Sequence, residues 1–138
     1  MTAPGAPPQP RPDVDTAGWW RATAEGTLAI CRCVDCGVWQ HPPLERCRHC
    51  GGALSYEAVA GTGALHSFIV VHQPVAPGYL DQLPYVVGLI ELDEQEALRI
   101  PARVVGSARE DLRIGDRMTA EVIALPGGDY HVAVFHRS

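Results

Sequence analysis

Lysine is missing from the sequence, and all eleven basic side chains are arginines. They are outnumbered by sixteen aspartates and glutamates, which gives the 138-residue chain a formal net charge of −5 at pH 7. Proteins that bind nucleic acid without sequence preference usually carry an excess of basic residues, because phosphate contacts supply most of that affinity. The charge balance therefore argues against general nucleic-acid binding.

The sequence also lacks an apolar run of about 18 residues, so no transmembrane helix and no membrane role are expected. Residues 1–12 contain five prolines and no apolar segment of the kind found in signal peptides. We predict a disordered tail over residues 1–12 and a cytoplasmic location. Disulfides are rare in that compartment, so the five cysteines indicate metal or redox chemistry.

Catalytic signatures are missing as well. The six histidines belong to no H-E-x-x-H or H-x-E motif, and there is no G-x-S-x-G, Walker or G-x-G-x-x-G element. Gly61-Thr62-Gly63 is typical of a tight turn, and the acidic stretch 91–96 of a solvated hairpin turn. His66 and His72 are expected to be structural residues at strand ends. The sequence therefore predicts no self-contained catalytic set.

Turn-forming residues are abundant. The chain has 14 glycines and 12 prolines, which favours short strands over long helices. A short helix is predicted over residues 13–26, capped by Asp15 or Thr16 and ended by Gly26. Hydrophobic patterning predicts strands over 27–32, 55–60, 64–72, 85–92, 98–105, 118–125 and 130–135. The last six fit a small closed barrel such as an OB-fold, and an open β-sandwich is the competing arrangement.

Two Cys-x-x-Cys pairs form the strongest motif: Cys33 with Cys36 and, after ten further residues, Cys47 with Cys50. The glycine after each pair permits a tight backbone turn. Four converging thiolates suit a structural Zn²⁺ ion and leave no coordination position for a reactive water. Iron in the same cage, or two unrelated cysteine pairs, are the alternatives. We predict a structural zinc site and no hydrolytic role for it.

Two neighbouring side chains are assigned to other roles. Cys31 lies two residues before Cys33 and is predicted to be a small apolar strand residue, with a reactive thiol as the alternative. His49 lies between two predicted ligands, but Cys50 fits the ligand spacing better. His49 is therefore expected at the surface.

Several motifs follow one another in order along the chain: Trp19-Trp20, Cys33-x-x-Cys36-Gly37, His41-Pro42-Pro43, Cys47-x-x-Cys50-Gly51, Gly61-Thr62-Gly63, Pro84-Tyr85 and Asp111-Leu112-Arg113-Ile114-Gly115. By the order and spacing of these motifs, residues 15–136 resemble a known family that combines an N-terminal helix, a rubredoxin-like zinc ribbon and a C-terminal OB-fold, catalogued as domain of unknown function thirty-five. Three features depart from the usual pattern of that family: Trp19 stands in place of Phe, Leu44 in place of a basic residue, and Arg48 in place of Pro.

The resemblance implies a mainly β protein whose zinc ribbon spans 27–54 and whose OB-fold spans 55–138. It also implies an accessory, non-catalytic role in acyl-CoA chemistry. Proteins similar to this one associate with thiolase-fold enzymes of the lipid-transfer or sterol-carrier type, and some act beside hot-dog-fold enoyl-CoA hydratases. In steroid side-chain degradation such a pair looks like a retro-aldolase that cleaves a β-hydroxyacyl-CoA, and in other members the partner transfers acyl groups.

Candidate contacts follow from this expectation. Exposed aromatic anchors often carry interface energy, so the three tryptophans and the adjacent prolines are predicted to contact the partner, with local packing as the alternative for the tryptophans. Arginine side chains near the knuckles are predicted to reach CoA phosphates, with ordinary surface arginine as the alternative. The predicted contact residues are Trp19, Trp20, Trp39, Pro42, Pro43, Arg46 and Arg48.

A single-stranded nucleic-acid-binding OB-fold protein is the alternative function, because OB-folds and zinc ribbons both serve that purpose. It requires a basic groove with stacking aromatics. Residues 51–138 carry six arginines against eleven acidic residues, so this alternative is disfavoured.

Overall fold

The computed structural model describes residues 5–73 and 76–138, which form a helix at the N-terminal end followed by β-strands. Two short 3-10 helices lie in loops, at Leu80–Gln82 and Arg109–Asp111. The elements are α1 (Ala17–Ala24), β1 (Leu28–Cys33), β2 (Trp39–Gln40), β3 (Leu54–Val59), β4 (Thr62–Val71), β5 (Tyr85–Leu92), β6 (Arg99–Val104), β7 (Arg117–Ala124) and β8 (His131–Arg137).

The first three strands form an antiparallel sheet in the order β2-β1-β3. β1 and β3 pair along their whole length, from Leu28 opposite Val59 to Cys33 opposite Leu54. The strand predicted over residues 55–60 is therefore present, but it pairs within the ribbon and not within the barrel. Sequence periodicity gives the strand and cannot give its partner, because the same alternation fits either sheet.

The other five strands close into a barrel in the order β4-β5-β6-β8-β7, with β7 pairing back onto β4. β6 and β8 run parallel, and the other neighbours run antiparallel. Burial alternates strictly along β5, whose even-numbered residues face the interior. The mainly β fold with an OB-like barrel is confirmed, and the barrel is closed, in contrast to the open sandwich.

The barrel interior is filled by large apolar side chains that are at most 1% exposed. Gly63 of β4 lies so close to the backbone carbonyl of Glu91 that a Cβ atom there would overlap it, so this pairing requires glycine. Towards the end of β7, Val122 and Ile123 are both half-buried, although they face opposite sides of the strand. The filling residues are Leu65, Ile90, Ile100, Met118 and Phe135.

The helix is shorter than the predicted range of 13–26, because a turn precedes it. The Asp13 carboxylate accepts backbone N–H hydrogen bonds from Asp15 at 3.0 Å and from Thr16 at 2.9 Å. Thr16 occupies the N-cap position, but its side chain makes no cap hydrogen bond to the helix. Gly26, at φ +82°, ends the helix, and the Thr27 N–H donates to the Ala22 carbonyl in a Schellman arrangement.

The N-terminal residues differ from the predicted disordered tail. Residues 1–4 lie outside the described part of the chain, whereas residues 5–12 pack against the barrel, with Pro7 buried. Prolines restrict the unfolded chain, so ordering this segment costs less entropy than ordering an average one. Within the described residues, no helix is long and apolar enough to cross a membrane.

Candidate metal centre

The four cysteines of the two Cys-x-x-Cys pairs lie together at the end of the ribbon, with all four sulfurs within 4.8 Å of one another. The Sγ atoms of Cys33 and Cys50 are 3.4 Å apart, and those of Cys36 and Cys47 are 3.7 Å apart. Sulfurs about 2.3 Å from one tetrahedral ion would be roughly 3.8 Å apart, so the spacing suits a single metal ion. The structure thus brings together the four ligands predicted from the sequence.

The two pairs adopt the same backbone conformation. The N–H of Gly37 donates to the Cys33 carbonyl at 3.1 Å, and the N–H of Gly51 donates to the Cys47 carbonyl at 2.8 Å. Both glycines have positive φ, +75° and +76°. This left-handed conformation is strained for other residues, so the glycine after each pair is what allows the chain to turn back beneath the sulfurs.

Backbone N–H groups favour the thiolate form at Cys33 and Cys47, whereas burial raises the pKa of the Cys36 thiol and the neighbouring Cys33 sulfur raises that of Cys50. The N–H of Cys36 points at the Cys33 sulfur at 3.5 Å, and backbone donors of this kind lower the pKa of the Cys33 thiol to about 6. The pKa of Cys47 is likewise lowered, chiefly by the backbone N–H of Cys50. Hydrogen bonds of this kind stabilise thiolate, the form that binds metal.

Gly52 leaves room for the sulfurs. A Cβ atom at this position would be 3.1 Å from the Cys33 sulfur and 3.2 Å from the Cys50 sulfur, and it would also press on the Asp35 carboxylate. The donor set of four thiolates and this tight backbone cradle fit a tetrahedral, fully protein-ligated ion. Such a site has no open coordination position for substrate.

Gln40 is a supporting residue that sequence reasoning missed. Its side chain is 1% exposed and bridges the second knuckle. The amide Nε2 donates to the Arg46 carbonyl at 3.3 Å, and Oε1 accepts the Arg48 backbone N–H at 2.9 Å. A buried glutamine must satisfy its polar atoms, and here it does so by fixing the loop that carries Cys47. The two-residue strand that carries Gln40 is too short to leave a periodic signal.

The predicted contact residues differ widely in exposure. Pro42, Arg46 and Arg48 are exposed. Pro43 and Trp19 are half-buried, as is Trp20, which packs edge-on against Tyr130 with ring centroids 5.6 Å apart. Exposed apolar side chains that were not predicted as contacts occur in the same region, at Val34 and Leu44, which are 62% and 51% exposed.

Trp39 is 7% exposed and belongs to the hydrophobic core. The Arg32 guanidinium lies 4.8 Å above its ring. The Trp39 backbone N–H donates to Gln95 Oε1 at 3.0 Å, and the Trp39 carbonyl accepts a hydrogen bond from Gln95 Nε2 at 3.0 Å. The burial of Trp39 favours the packing role over a partner contact.

The hairpin between β5 and β6 contacts the ribbon through Gln95, while the two preceding side chains bind the start of β4 and the junction before it. Asp93 accepts a hydrogen bond from the Thr62 hydroxyl at 2.8 Å, and Glu94 accepts one from the Ala60 backbone N–H at 2.9 Å. Gln95 adds its two bonds to Trp39. The acidic stretch predicted as a solvated turn is the turn of this hairpin; Asp93 and Glu96 are exposed, and Asp93 and Glu94 also accept hydrogen bonds. We refer to residues 93–95 as the hairpin clamp.

The remaining cysteine and the histidines near the ribbon stand apart from the sulfur cluster. Cys31 is 5% exposed in β1, and burial raises the pKa of its thiol, in agreement with an apolar strand residue. His49 is exposed, as expected. His41 is half-buried, its ring centroid 6.4 Å from that of Trp19, and burial lowers its pKa.

Comparison with known proteins agrees with this geometry. Residues 20–57 match the family model described as the ChsH2 rubredoxin-like zinc ribbon domain, and residues 56–122 match that of the ChsH2 C-terminal OB-fold domain. A DUF35 domain-containing scaffold protein of Methanocaldococcus jannaschii is 35% identical over 105 residues, covering 73% of this chain and 72% of that protein. The chain belongs to the DUF35 family of ChsH2-type proteins.

Other relatives of this DUF35 chain are larger or belong to complexes. A probable enoyl-CoA hydratase alpha subunit of Thermomonospora curvata is 40% identical over 111 residues, which cover 78% of this chain. The chain spans only 33% of the length of that subunit. The solved structure described as Ltp2-ChsH2(DUF35) aldolase contains a chain that is 33% identical, with a TM-score of 0.84 over 94% of this chain and 98% of that one.

Proposed function

We propose that this protein is a non-catalytic accessory subunit of a thiolase-fold acyl-CoA enzyme of the lipid-transfer or sterol-carrier type. The observation that carries the proposal is the similarity to the ChsH2 chain of an aldolase complex along nearly the full length of both chains. The partner holds the catalytic residues and cleaves a β-hydroxyacyl-CoA or transfers an acyl group. This chain docks the partner and helps to form the acyl-CoA site.

The metal in this proposal is a structural Zn²⁺ ion held by Cys33, Cys36, Cys47 and Cys50. Four thiolates and closed coordination favour zinc, and the ion would hold the two knuckles together where the sheet alone cannot. Metal analysis of protein produced without metal supplementation tests this. Colourless protein with near-stoichiometric zinc is expected, and a red, iron-loaded protein would contradict the assignment.

The docking surface in this proposal lies around the two knuckles and is named the ribbon tip, formed by Val34, Leu44, Arg46 and Arg48. All four residues are exposed, and they combine apolar side chains with guanidinium groups. Apolar anchors surrounded by arginine are typical of interfaces, and arginine also suits phosphate groups such as those of CoA. Trp19, Trp20, Pro42 and Pro43 stay in the proposal as neighbouring contacts, whereas Trp39 supports the ribbon from within.

A hot-dog-fold enoyl-CoA hydratase is a further partner in this proposal, supported by the relative named as a hydratase alpha subunit. The cytoplasmic location stays a prediction. Affinity purification of the tagged chain from the organism that encodes it, followed by identification of the co-eluting enzyme, tests the partner class. Recovery of a thiolase-fold enzyme supports the proposal, and acyl-CoA turnover by the isolated chain would contradict the accessory role.

Variants of two exposed apolar side chains test the surface. Leu44→Ser alters the ribbon tip, and Ile114→Ser alters a side chain on the barrel; the two side chains are 51% and 62% exposed. We expect Leu44→Ser to weaken binding of the purified partner roughly tenfold, within the range for an interface anchor. Ile114→Ser is expected to bind like the wild type. Equal binding by both variants would place the docking surface elsewhere.

A further inference from the structure

Residues 5–12, which we call the strap, lie across the outside of the barrel. Pro7 is buried. The Gln9 side chain follows, and its Nε2 donates to the Pro126 carbonyl at 3.0 Å, in the loop between β7 and β8. A terminal segment without secondary structure of its own is thus held against the barrel by one buried proline and one glutamine.

The strap lies in a groove between the loop that follows β4 and the loop that follows β7. We call this the strap groove. The guanidinium group of Arg103 forms part of its wall, 5.4 Å from the Tyr79 ring centroid and 5.1 Å from that of Tyr85. Val134 and Leu125 in the groove are 3% and 6% exposed. The other main lining residues are Tyr79, Ile123 and Val132.

Glycines make room for the strap on both sides of the groove. A Cβ atom at Gly78 would overlap the backbone of Pro7, and one at Gly128 would overlap the Gln9 side chain. Gly78 also has a positive φ of +87°, whereas Gly128 does not have a positive φ. A methyl group at Gly128 would therefore disturb the contact with the strap without straining the backbone.

The strap fills the groove incompletely. A cavity of about 490 Å³ is bounded by Gly5, Ala6 and Pro7 on one side and by the barrel on the other. In addition, Gln9 Oε1 is buried and finds no hydrogen-bond partner among the described residues. An unpaired buried acceptor weakens an interaction, and the remaining space leaves room for a larger side chain at the position of Ala6, so a segment with such a side chain would bury more apolar surface.

We propose that the strap groove is a docking site for an extended, proline-containing segment of a partner protein, and that the strap is a built-in occupant that this segment displaces. Prolines at positions 7, 8, 10 and 12 fix their own φ and keep the residues before them extended. A groove shaped around such a chain recognises a preformed conformation at low entropic cost. The tether to α1 gives the strap a high local concentration, so it competes with any free peptide.

The test uses the full chain and two fluorescein-labelled peptides. One peptide has the sequence of residues 5–12, and the other carries the Ala6→Leu substitution. Pro7→Gly with Gln9→Ala in the protein weakens the strap and leaves the groove intact. By fluorescence anisotropy, this strap variant is expected to bind the first peptide roughly tenfold more tightly than the wild type does, since the internal competitor is weakened. The Ala6→Leu peptide is expected to bind more tightly still.

A groove substitution provides the specificity control. Gly128→Ala in the strap variant is expected to weaken peptide binding at least fivefold, whereas Asp129→Ala in the same exposed loop is expected to leave it unchanged. Thermal melting confirms that each variant is folded. The proposal is overturned if the folded strap variant shows no saturable binding, if it binds no better than the wild type, or if Gly128→Ala has no effect. A strap variant that dimerises by sharing straps would assign the groove to self-association instead.

Discussion

Three glycines, which have no side chain, allow the four cysteine sulfurs to lie close together. Gly37 and Gly51 adopt a backbone conformation that other residues avoid, and Gly52 leaves space beside two sulfurs. The ligands and the two turn glycines could be predicted, because Cys-x-x-Cys-Gly is a local pattern. Gly52 and Gln40 could not be predicted, because their roles depend on how the loops fold back in space, which no repeating pattern in the sequence records.

Gly52→Ala tests this spatial requirement. The added methyl group would be 3.1 Å and 3.2 Å from two ligand sulfurs, so the knuckles must move apart to accept it. Overpacking of this kind costs about 1–3 kcal/mol, and we expect weaker metal retention in competition with a chelator. Asp35→Ala with Gly52→Ala relieves the contact with the carboxylate only, and is expected to remain defective. If Gly52→Ala retained the metal as well as the wild type does, the site would have enough space for the added methyl group and the prediction would be wrong.

His41 predicts a pH dependence. Burial lowers the pKa of His41 in the folded chain, whereas an unfolded histidine has a pKa of about 6.5. The unfolded chain therefore binds more protons below about pH 6.5, and the free energy of unfolding falls as the pH decreases. Between pH 7.5 and 5.5, the free energy of unfolding measured with urea is expected to decrease less for His41→Phe than for the wild type. His66→Phe, at an exposed site, is the control. All three proteins have the same cysteines, so titration of the thiols contributes equally to each. If the free energy of unfolding of His41→Phe depended on pH as steeply as that of the wild type, the prediction would be wrong.

At the scale of elements, periodicity located every barrel strand to within a few residues, because alternate burial leaves a local pattern. The pairing of β3 with β1 could not be read in this way. Strand partners are chosen by closure of the whole barrel and by the register of the ribbon, and neither leaves a local signal. The ordered strap was missed for the same reason, since its contacts are with loops more than 60 residues away.

Loss of one ligand tests how separately the two sheets fold. Cys47→Ser is expected to abolish stoichiometric metal binding and loosen the two knuckles, while the barrel strands keep their pairing and their share of the common core. Metal content and the NMR resonances of β4–β8 measure the two effects. Cys31→Ser is the matched control, because Cys31 lies outside the sulfur cluster and should retain the metal. Full metal content in Cys47→Ser would contradict the ligand assignment.

At the scale of the whole molecule, the ribbon and barrel share one hydrophobic core that includes Ile30 and Trp39 from the ribbon sheet. The hairpin clamp adds polar bonds from the barrel to the ribbon through Gln95 and to the junction at Ala60 through Glu94. The aromatic content of the N-terminal third was visible in the sequence, but its division between core and surface was not. Trp39 in the core makes loss of stability the first expected effect of its removal.

Gln95→Ala tests this coupling. The substitution leaves the N–H and carbonyl groups of Trp39 without their side-chain partners. Unpaired buried backbone groups cost about 1–3 kcal/mol, so a lower melting temperature and a Trp39 fluorescence change that precedes barrel unfolding are expected. Gln82→Ala, which removes only a local bond at an exposed site, is the control. Unchanged melting of Gln95→Ala would show that the shared apolar core alone unites the two parts.

The junction between β3 and β4 is just Ala60 and Gly61, and Gly61 is buried against Ala120. Such a short, fastened connection leaves no hinge. The ribbon and the barrel therefore move together as one rigid unit. A partner that binds the end of the ribbon with the four cysteines also fixes the orientation of the far end of the barrel.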